Sequence, residues 1–438
     1  MDNTSEQTTS DAVESAARAR AGVLEHLREH TPRWLEASVD LEPSHTLPAV
    51  TLLRLARDAH ASDVHVSIDD RLGARVSLRI HGTICPLVRL GPEQAQRLQR
   101  QLRVLCGLST SPTRHAEQGH ATIAPDEDGG PDGPDRSGFD VRLSAVPTAA
   151  GASLSIRLMP TGVADLPLDA LGLTEADRRA LVGWFRTAGG LMLIVGPTGS
   201  GKTTTLYSLL RHAVPQTWRV VTVEQPVESS LPGIDQIPAP EDRPDAIVSL
   251  MPHVLRQDPD VVVIGEILDA DTARAAVRAS LAGRGVIATG HAPSAAGAVT
   301  WLRHCGAHDF EIAETLGMVV AQRLVRVLCD HCKRTVRPGE EHRRLFEAHG
   351  LPVPEALAEA VGCDRCGRLG YTSRTGVFDV WLPAGEDPAR IRQGQDQSAL
   401  SHRPGRLMRR GLELAAQGRT SIEEVLRHCP ADGVASPA

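Results

Sequence analysis

Residues Gly196 to Thr203 read GPTGSGKT, with glycines at Gly196 and Gly201 followed by Lys202 and Thr203. This is the full G-x-x-x-x-G-K-[ST] spacing of a phosphate-binding loop, in which glycines let backbone N–H groups close around phosphate oxygens. Lys202 is placed to meet the β- and γ-phosphates of ATP, and the Thr203 hydroxyl to ligate Mg²⁺. Pro197, Thr198, Gly199 and Ser200 complete the loop, and Thr204 follows it. The apolar run Met192 to Val195 comes before, and the helix-forming KTTTLYSLLRHAV after, so a helix N-terminus adds its partial positive charge to the cradle.

Such a site needs carboxylates, because Mg²⁺ prefers carboxylate oxygen and an attacking water must be oriented. Glu266 follows Val261-Val-Val-Ile-Gly, the end of a buried-type strand, where ligands collect in parallel sheets; it is the first candidate to share Mg²⁺ with Thr203. Glu224 ends RVVTVE and is the rival or collaborating carboxylate. For either, a solvated strand-end glutamate is the alternative. His291 follows GVIATG at a third strand end, placed to sense the γ-phosphate or a neighbouring subunit, although isolated histidines are more often surface or satisfied core residues.

A second constellation is made of cysteine. Cys329-x-x-Cys332 and Cys363-x-x-Cys366 are two pairs separated by 30 residues. Four thiolates at that spacing suit a closed tetrahedral Zn²⁺; a redox pair is the alternative and would require a thioredoxin-like context that is absent. Cys85, Cys106, Cys305 and Cys429 are isolated and read as small buried hydrophobes.

The elements that must position these groups follow from pattern. From about Leu171, helices and strands alternate: EADRRALVGWF, GLMLIV, the loop, KTTTLYSLLRHAV, RVVTVE, DVVVIGE, TARAAVRASL and GVIATG. That alternation implies an α/β domain with a doubly wound parallel sheet. Upstream, a helix-like LPAVTLLRLARDAHA leads into strands at Asp63-Val-His-Val and ARVSLRIHG, a helix at AQRLQRQLRVLCGL, and strands around HATIA and FDVRLSAVP, a smaller α+β domain. APDEDGGPDGPDRSG reads as a loop and PTGVADLP as a breaker-rich linker. The expected divisions are a polar tail at 1–46 with a helix candidate from Asp11 to His30, an α+β domain at 47–160, a linker at 161–170, and an ATPase domain at 171–438 that includes a zinc subdomain at about 326–380. The tail is a partner-docking element or a solvated segment.

At 438 residues and 41% apolar, the chain has the length of two to three domains with proper cores. A net charge of −7 argues against a dedicated nucleic-acid binder. The longest apolar runs fall far short of the roughly 20 residues of a membrane span. The polar, acidic start lacks the features of an export signal, so a cytoplasmic location is expected.

Taken together these residues resemble the secretion ATPase superfamily of type II secretion and type IV pilus assembly motors. GPTGSGKTTTLYSLL is similar to its extended phosphate loop, TVEQPVE at Thr222 to Glu228 to its Asp box, RQDPDVVVIGEILD at Arg256 to Asp269 to its Walker B segment, and ASLAGRGVIATGH to its His box. ASDVH, SLRIHG and DVRLSAVPTAAGASLSIRL resemble its N-terminal strands. The resemblance implies a RecA-like ATPase domain behind a PAS-like α+β domain, phosphate contacts from Arg142 and Arg157, and a hexameric ring. It also implies a membrane platform and docking proteins as partners, with the motor peripheral at the inner membrane. The four-cysteine insertion followed by GYTSRTGVFDVW resembles the assembly and secretion branch, and the closing RRGLELAAQGRTSIEEVLRH the family's C-terminal helices. Only about 45 residues precede the shared region, so docking is expected to be abbreviated or made elsewhere.

The chain departs from the family pattern at Gln225, Leu268, Arg284 and His81, where the family has Asp, Arg, His and Asp. ATP binding is therefore a firmer expectation than fast hydrolysis. A nucleotide-binding regulatory or structural subunit is the rival reading, and a DNA-uptake or conjugation ATPase another, against which the cysteine knuckle argues.

Overall fold

In the computed structural model, residues 49–110, 114–124, 138–160, 166–187, 189–240, 243, 245–402 and 405–429 are described; the tail helix candidate lies outside them. The described residues separate into two compact units, one made of those within 1–161 with 329–333 and 360–373, the other of those within 162–328, 334–359 and 374–438. The segments that carry the four cysteines thus pack within the first unit.

The first unit is built on β1 (Ala61–Asp69), β2 (Gly73–Ile80), β3 (Thr83–Leu90), β4 (Glu117–Ile123), β5 (Phe139–Thr148) and β6 (Gly151–Pro160), in the order β3-β2-β1-β6-β5-β4 with antiparallel pairing throughout. Alternation decides its two faces. Val64, Val66, Val76, Leu78, Val141, Leu143, Leu154 and Ile156 form one core with Leu52 and Leu53 of the helix Ala49–Asp58 and Leu98 and Leu102 of the helix Pro92–Leu105. The intervening residues, among them Asp63, Arg79, Arg142 and Arg157, share the opposite face. Pro86 interrupts β3, which is tolerated because β3 lies at the sheet edge.

The second unit holds β7 (Leu191–Val195), β8 (Val220–Glu224), β9 (Asp235–Pro238), β10 (Val261–Ile264), β11 (Gly285–Gly290), β12 (Leu316–Leu328) and β15 (Tyr371–Trp381) in the order β15-β12-β7-β11-β10-β8-β9, with a separate ribbon of β13 (Arg334–Val336) and β14 (Leu357–Glu359). All pairings from β12 to β9 are parallel. A parallel sheet must be covered on both faces, and successive residues divide accordingly: Leu191, Leu193 and Val195 enter one core while Met192 and Ile194 enter the other. Among the described residues no helix is long and apolar enough to cross a membrane.

Candidate functional site

The strands β7, β11, β10 and β8 are consecutive neighbours in the sheet, and their carboxyl ends lead in turn to the phosphate loop, His291, Glu266 and Glu224. Residues from four separate stretches of sequence are gathered because parallel strands point the same way. Backbone bonds continue the ladder past the strand ends: Gly196 N–H donates to Gly290 C=O (3.2 Å), Gly265 N–H to Val223 C=O (2.9 Å) and Ile267 N–H to Thr289 C=O (2.9 Å).

Gly199 and Gly201 adopt φ of +77° and +86°, a region that favours glycine, and Gly201 caps the helix Lys202–His212. A Cβ on Gly201 would stand 2.9 Å from the Gln322 amide nitrogen, so the loop is also closely packed from behind. The Lys202 ammonium donates to the carbonyls of Gly196 (3.0 Å) and Pro197 (3.4 Å) and lies 3.6 Å from Glu266 Oε1. Burial lowers its pKa from the ordinary lysine value, opposed by Glu266 and reinforced by the neighbouring Arg323 guanidinium. The buried Ser200 hydroxyl has no hydrogen-bond partner in the protein, as suits a group that serves a bound phosphate.

Glu266 Oε1 lies 2.8 Å from His291 Nε2, so Lys202, Glu266 and His291 form one chain of contacts at the mouth of three strands. Glu266 is 39% exposed at its side chain, within reach of a bound ligand. Glu224 is different: 3% exposed, it accepts from Tyr207, from Thr222 Oγ1 and from Gln236 Nε2 (3.1 Å). About three of its four acceptor positions are thereby committed, and the solvated alternative does not describe it. The carboxylate that Thr203 meets is Glu228, whose Oε1 lies 3.4 Å from the threonine hydroxyl. Thr203, Glu228 and Glu266 supply hard oxygen donors, the chemistry that Mg²⁺ takes.

Tyr207, Gln322 and Arg323 were not legible as site residues, and Glu228 was marked only as the last residue of the segment that resembles the Asp box. Gln322 donates from Nε2 to Ser200 C=O (2.7 Å) and accepts at Oε1 from Thr205 Oγ1 (2.8 Å), clamping the loop to its own helix. Arg323, 6% exposed, donates to Pro293 C=O (2.6 Å) and to Gln322 C=O (2.8 Å), joining the segment after His291 to the strand beneath the loop. The available signal was a Gln-Arg pair inside an apolar strand run, since buried polar groups are the informative exceptions.

The departures from the family pattern have local partners of their own. Arg284 donates to Pro259 C=O (3.1 Å) and Asp258 Oδ1 (2.8 Å), and Gln225 Nε2 to Pro240 C=O. Leu268 is 65% exposed. His81 has φ +48° in the turn after β2.

Within the first unit, Arg142 and Arg157 are cross-strand partners, Arg157 pairs in register with Asp63, and Asp63 with Arg79. The Asp63 carboxylate lies 3.3 Å from Arg157 Nε and 3.8 Å from Arg79 Nε.

The four cysteine sulfurs lie within 4.8 Å of one another, with Cys329–Cys363 at 3.9 Å and Cys332–Cys366 and Cys363–Cys366 at 3.8 Å. A tetrahedron of Zn–S bonds of about 2.3 Å has edges of about 3.8 Å, so the set fits zinc, and these separations are too long for disulfides. Backbone N–H groups of Gly362, Cys363 and Gly370 point at Cys332 and Cys366 sulfurs from 3.2 to 3.3 Å, donors that favour thiolates. Burial pushes the Cys329 thiol up to about 12; at Cys366 burial acts upward too but is outweighed by the Cys363 and Gly370 N–H groups and neighbouring thiols, and its pKa is lowered.

The family model described as "Type II/IV secretion system protein" matches residues 41–427. The chain is 33% identical over 378 residues to the type II secretion system ATPase E of Vibrio cholerae, covering 84% of this chain and 72% of that protein. It is also 33% identical over 371 residues to a putative type II secretion system protein E of Escherichia coli K12, with coverages of 84% and 73%. Among solved structures, the Legionella pneumophila ATPase DotB superposes with TM-score 0.60 at 18% identity, covering 88% of this chain and 96% of that one. The pilus retraction motor PilT with bound ADP gives 0.56 at 19%, with coverages of 87% and 96%. These two likenesses bear on the fold, which is RecA-like.

Proposed function

The chain belongs to the type II/IV secretion system protein family, and from that premise we propose that it is a motor ATPase that powers pilus or pseudopilus assembly and protein secretion. The observation that carries this reading is the contact chain from Lys202 through Glu266 to His291 beside a complete phosphate loop. ATP is the substrate. Loop N–H groups and Lys202 bind its phosphates, and Thr203 with Glu266 would hold Mg²⁺, whose chemistry is to neutralise charge on the β- and γ-phosphate oxygens. Glu266 and Glu224 orient the attacking water, Glu224 through its remaining acceptor position, and His291 reports the γ-phosphate through Glu266. Arg142 and Arg157 supply cations that stabilise charge developing on the transferred phosphoryl group.

In this reading residues 47–160 and 171–438 are the two bodies that ATP draws together within a hexameric ring. Membrane platform and docking proteins are its partners, and its place is cytoplasmic, at the inner membrane. Zn²⁺ held by Cys329, Cys332, Cys363 and Cys366 would close the knuckle, whose segments belong to the first unit. A regulatory subunit with weak turnover is the second reading, favoured by Leu268, which leaves an exposed apolar side chain beside Glu266 in sequence. Steady-state phosphate release by the zinc-loaded protein, with and without a platform protein, separates the two. Sustained release supports the motor; ATP binding without release in either condition supports the regulatory subunit.

A further inference from the structure

Helix Lys202–His212 carries Thr203 in its first turn and Tyr207 four residues later, so both project from one face. Tyr207 is 2% exposed, and its hydroxyl makes two bonds that leave the helix. It donates to Glu224 Oε2 and accepts from the backbone N–H of Glu228 at 3.1 Å. The segment between these two glutamates is fastened further along. Gln236 Nε2 donates to Glu224 Oε1 (3.1 Å) and to Ser229 C=O (3.0 Å), while its Oε1 accepts from Leu231 N–H (2.6 Å). The turn that carries Glu228 is thus held at both ends, and at the end nearer the nucleotide loop the phenolic oxygen of Tyr207 is one of its ties. From there the Glu228 carboxylate reaches Thr203 Oγ1 at 3.4 Å.

We infer that Tyr207 is a positioning residue of the nucleotide site: its hydroxyl ties Glu224 to the turn bearing Glu228, and so holds the Glu228 carboxylate over Thr203 as a further acidic group for the Mg²⁺ of bound ATP. This rests on the ATPase reading and extends it, because Glu228 joins Thr203 and Glu266 around the metal while Tyr207 acts through Glu228. The phenol is suited to the task by having one donor and one acceptor, both used here. Removing it takes a partner from a buried carboxylate oxygen and from a backbone N–H at once.

The test uses the zinc-loaded, 438-residue chain and a fluorescent, slowly hydrolysed ATP analogue, with affinity measured in Mg²⁺-free buffer and in Mg²⁺. Tyr207→Phe is expected to keep the wild-type affinity in Mg²⁺-free buffer, to lose about tenfold of the enhancement that Mg²⁺ confers, and to lower kcat by a similar factor with little change in KM. Glu228→Gln is expected to weaken the Mg²⁺ enhancement likewise, and the double variant to be no worse than Glu228→Gln alone, since the hydroxyl acts through that carboxylate. A Tyr207→Phe protein with full Mg²⁺ enhancement and full kcat overturns the proposal. So does one whose affinity falls equally without Mg²⁺, which marks a purely structural tyrosine. A wild-type protein that binds the analogue in neither buffer overturns the ATPase reading itself.

Discussion

Gln322→Leu is the substitution whose consequence follows most directly from the packing of the phosphate loop. The side chain is 2% exposed and sits among Ser200 at 3% and Thr205 at 0%. Leucine keeps roughly the volume of glutamine while removing both of its hydrogen bonds, to Ser200 C=O and from Thr205 Oγ1. Each stranded group costs about 1–3 kcal/mol in a buried place, so a total near 3 kcal/mol is expected. The folded unit recovers part of this by letting the loop relax, and ATP must then order it again on binding. An ATP affinity weakened by about ten- to a hundredfold corresponds to about 1.4–2.8 kcal/mol of that total. Equilibrium titration with a fluorescent ATP analogue, beside thermal unfolding without nucleotide, measures the two shares. If affinity stays within about twofold of wild type while unfolding is also unchanged, the clamp contributes nothing and the reasoning is wrong.

Two further outcomes test other parts of the molecule. Metal analysis of the purified protein should give a single zinc per chain, and Cys332→Ser should reduce that occupancy and lower Tm by roughly 5–10 °C, for a loss of about 3 kcal/mol; a zinc-free protein with an unaltered Tm would refute the knuckle. In acid, stability should fall as Glu424 protonates. Burial raises its pKa, but the Arg326 guanidinium outweighs this and holds the carboxyl below its ordinary value of 4.5. The unfolded chain then takes up the proton more readily than the folded one, so the contribution is present above pH 4.5 and is lost as pH falls through the lower folded value. Glu424→Gln should flatten that limb of a denaturant-midpoint profile against pH, and an unchanged slope would contradict the assignment.

What the sequence disclosed, and what it withheld, divides by the range of the interactions. The phosphate loop is a local device: glycine conformations, a lysine and a threonine within eight residues define it, and the structure shows that loop between β7 and its helix. Glu266 and His291 were legible because strand ends in a parallel sheet converge whatever the intervening sequence. The paired cysteines carried their chemistry in their spacing, and the sulfur separations agree with it. The edge strand β3 gave little signal, because Pro86 interrupts its alternation. Tyr207 and Gln322 look like ordinary core positions in an amphipathic helix and an apolar strand. Their roles arise only when Gln322 meets Ser200 and Thr205, well over a hundred residues away, and when Tyr207 meets the turn after β8. Glu224 shows the same limit from the other side: its position at a strand end was evident, whereas its burial among Tyr207, Thr222 and Gln236 was not.

The central claim is that this chain hydrolyses ATP at the loop Gly196–Thr203, with Lys202 stabilising the phosphates. Single-turnover phosphate release from wild type and Lys202→Ala, at saturating Mg²⁺ and with zinc bound, tests it most directly. The expected result is complete release of one phosphate per bound ATP from wild type and a rate at least about a hundredfold lower in the variant. Equal rates from the two proteins would contradict the account.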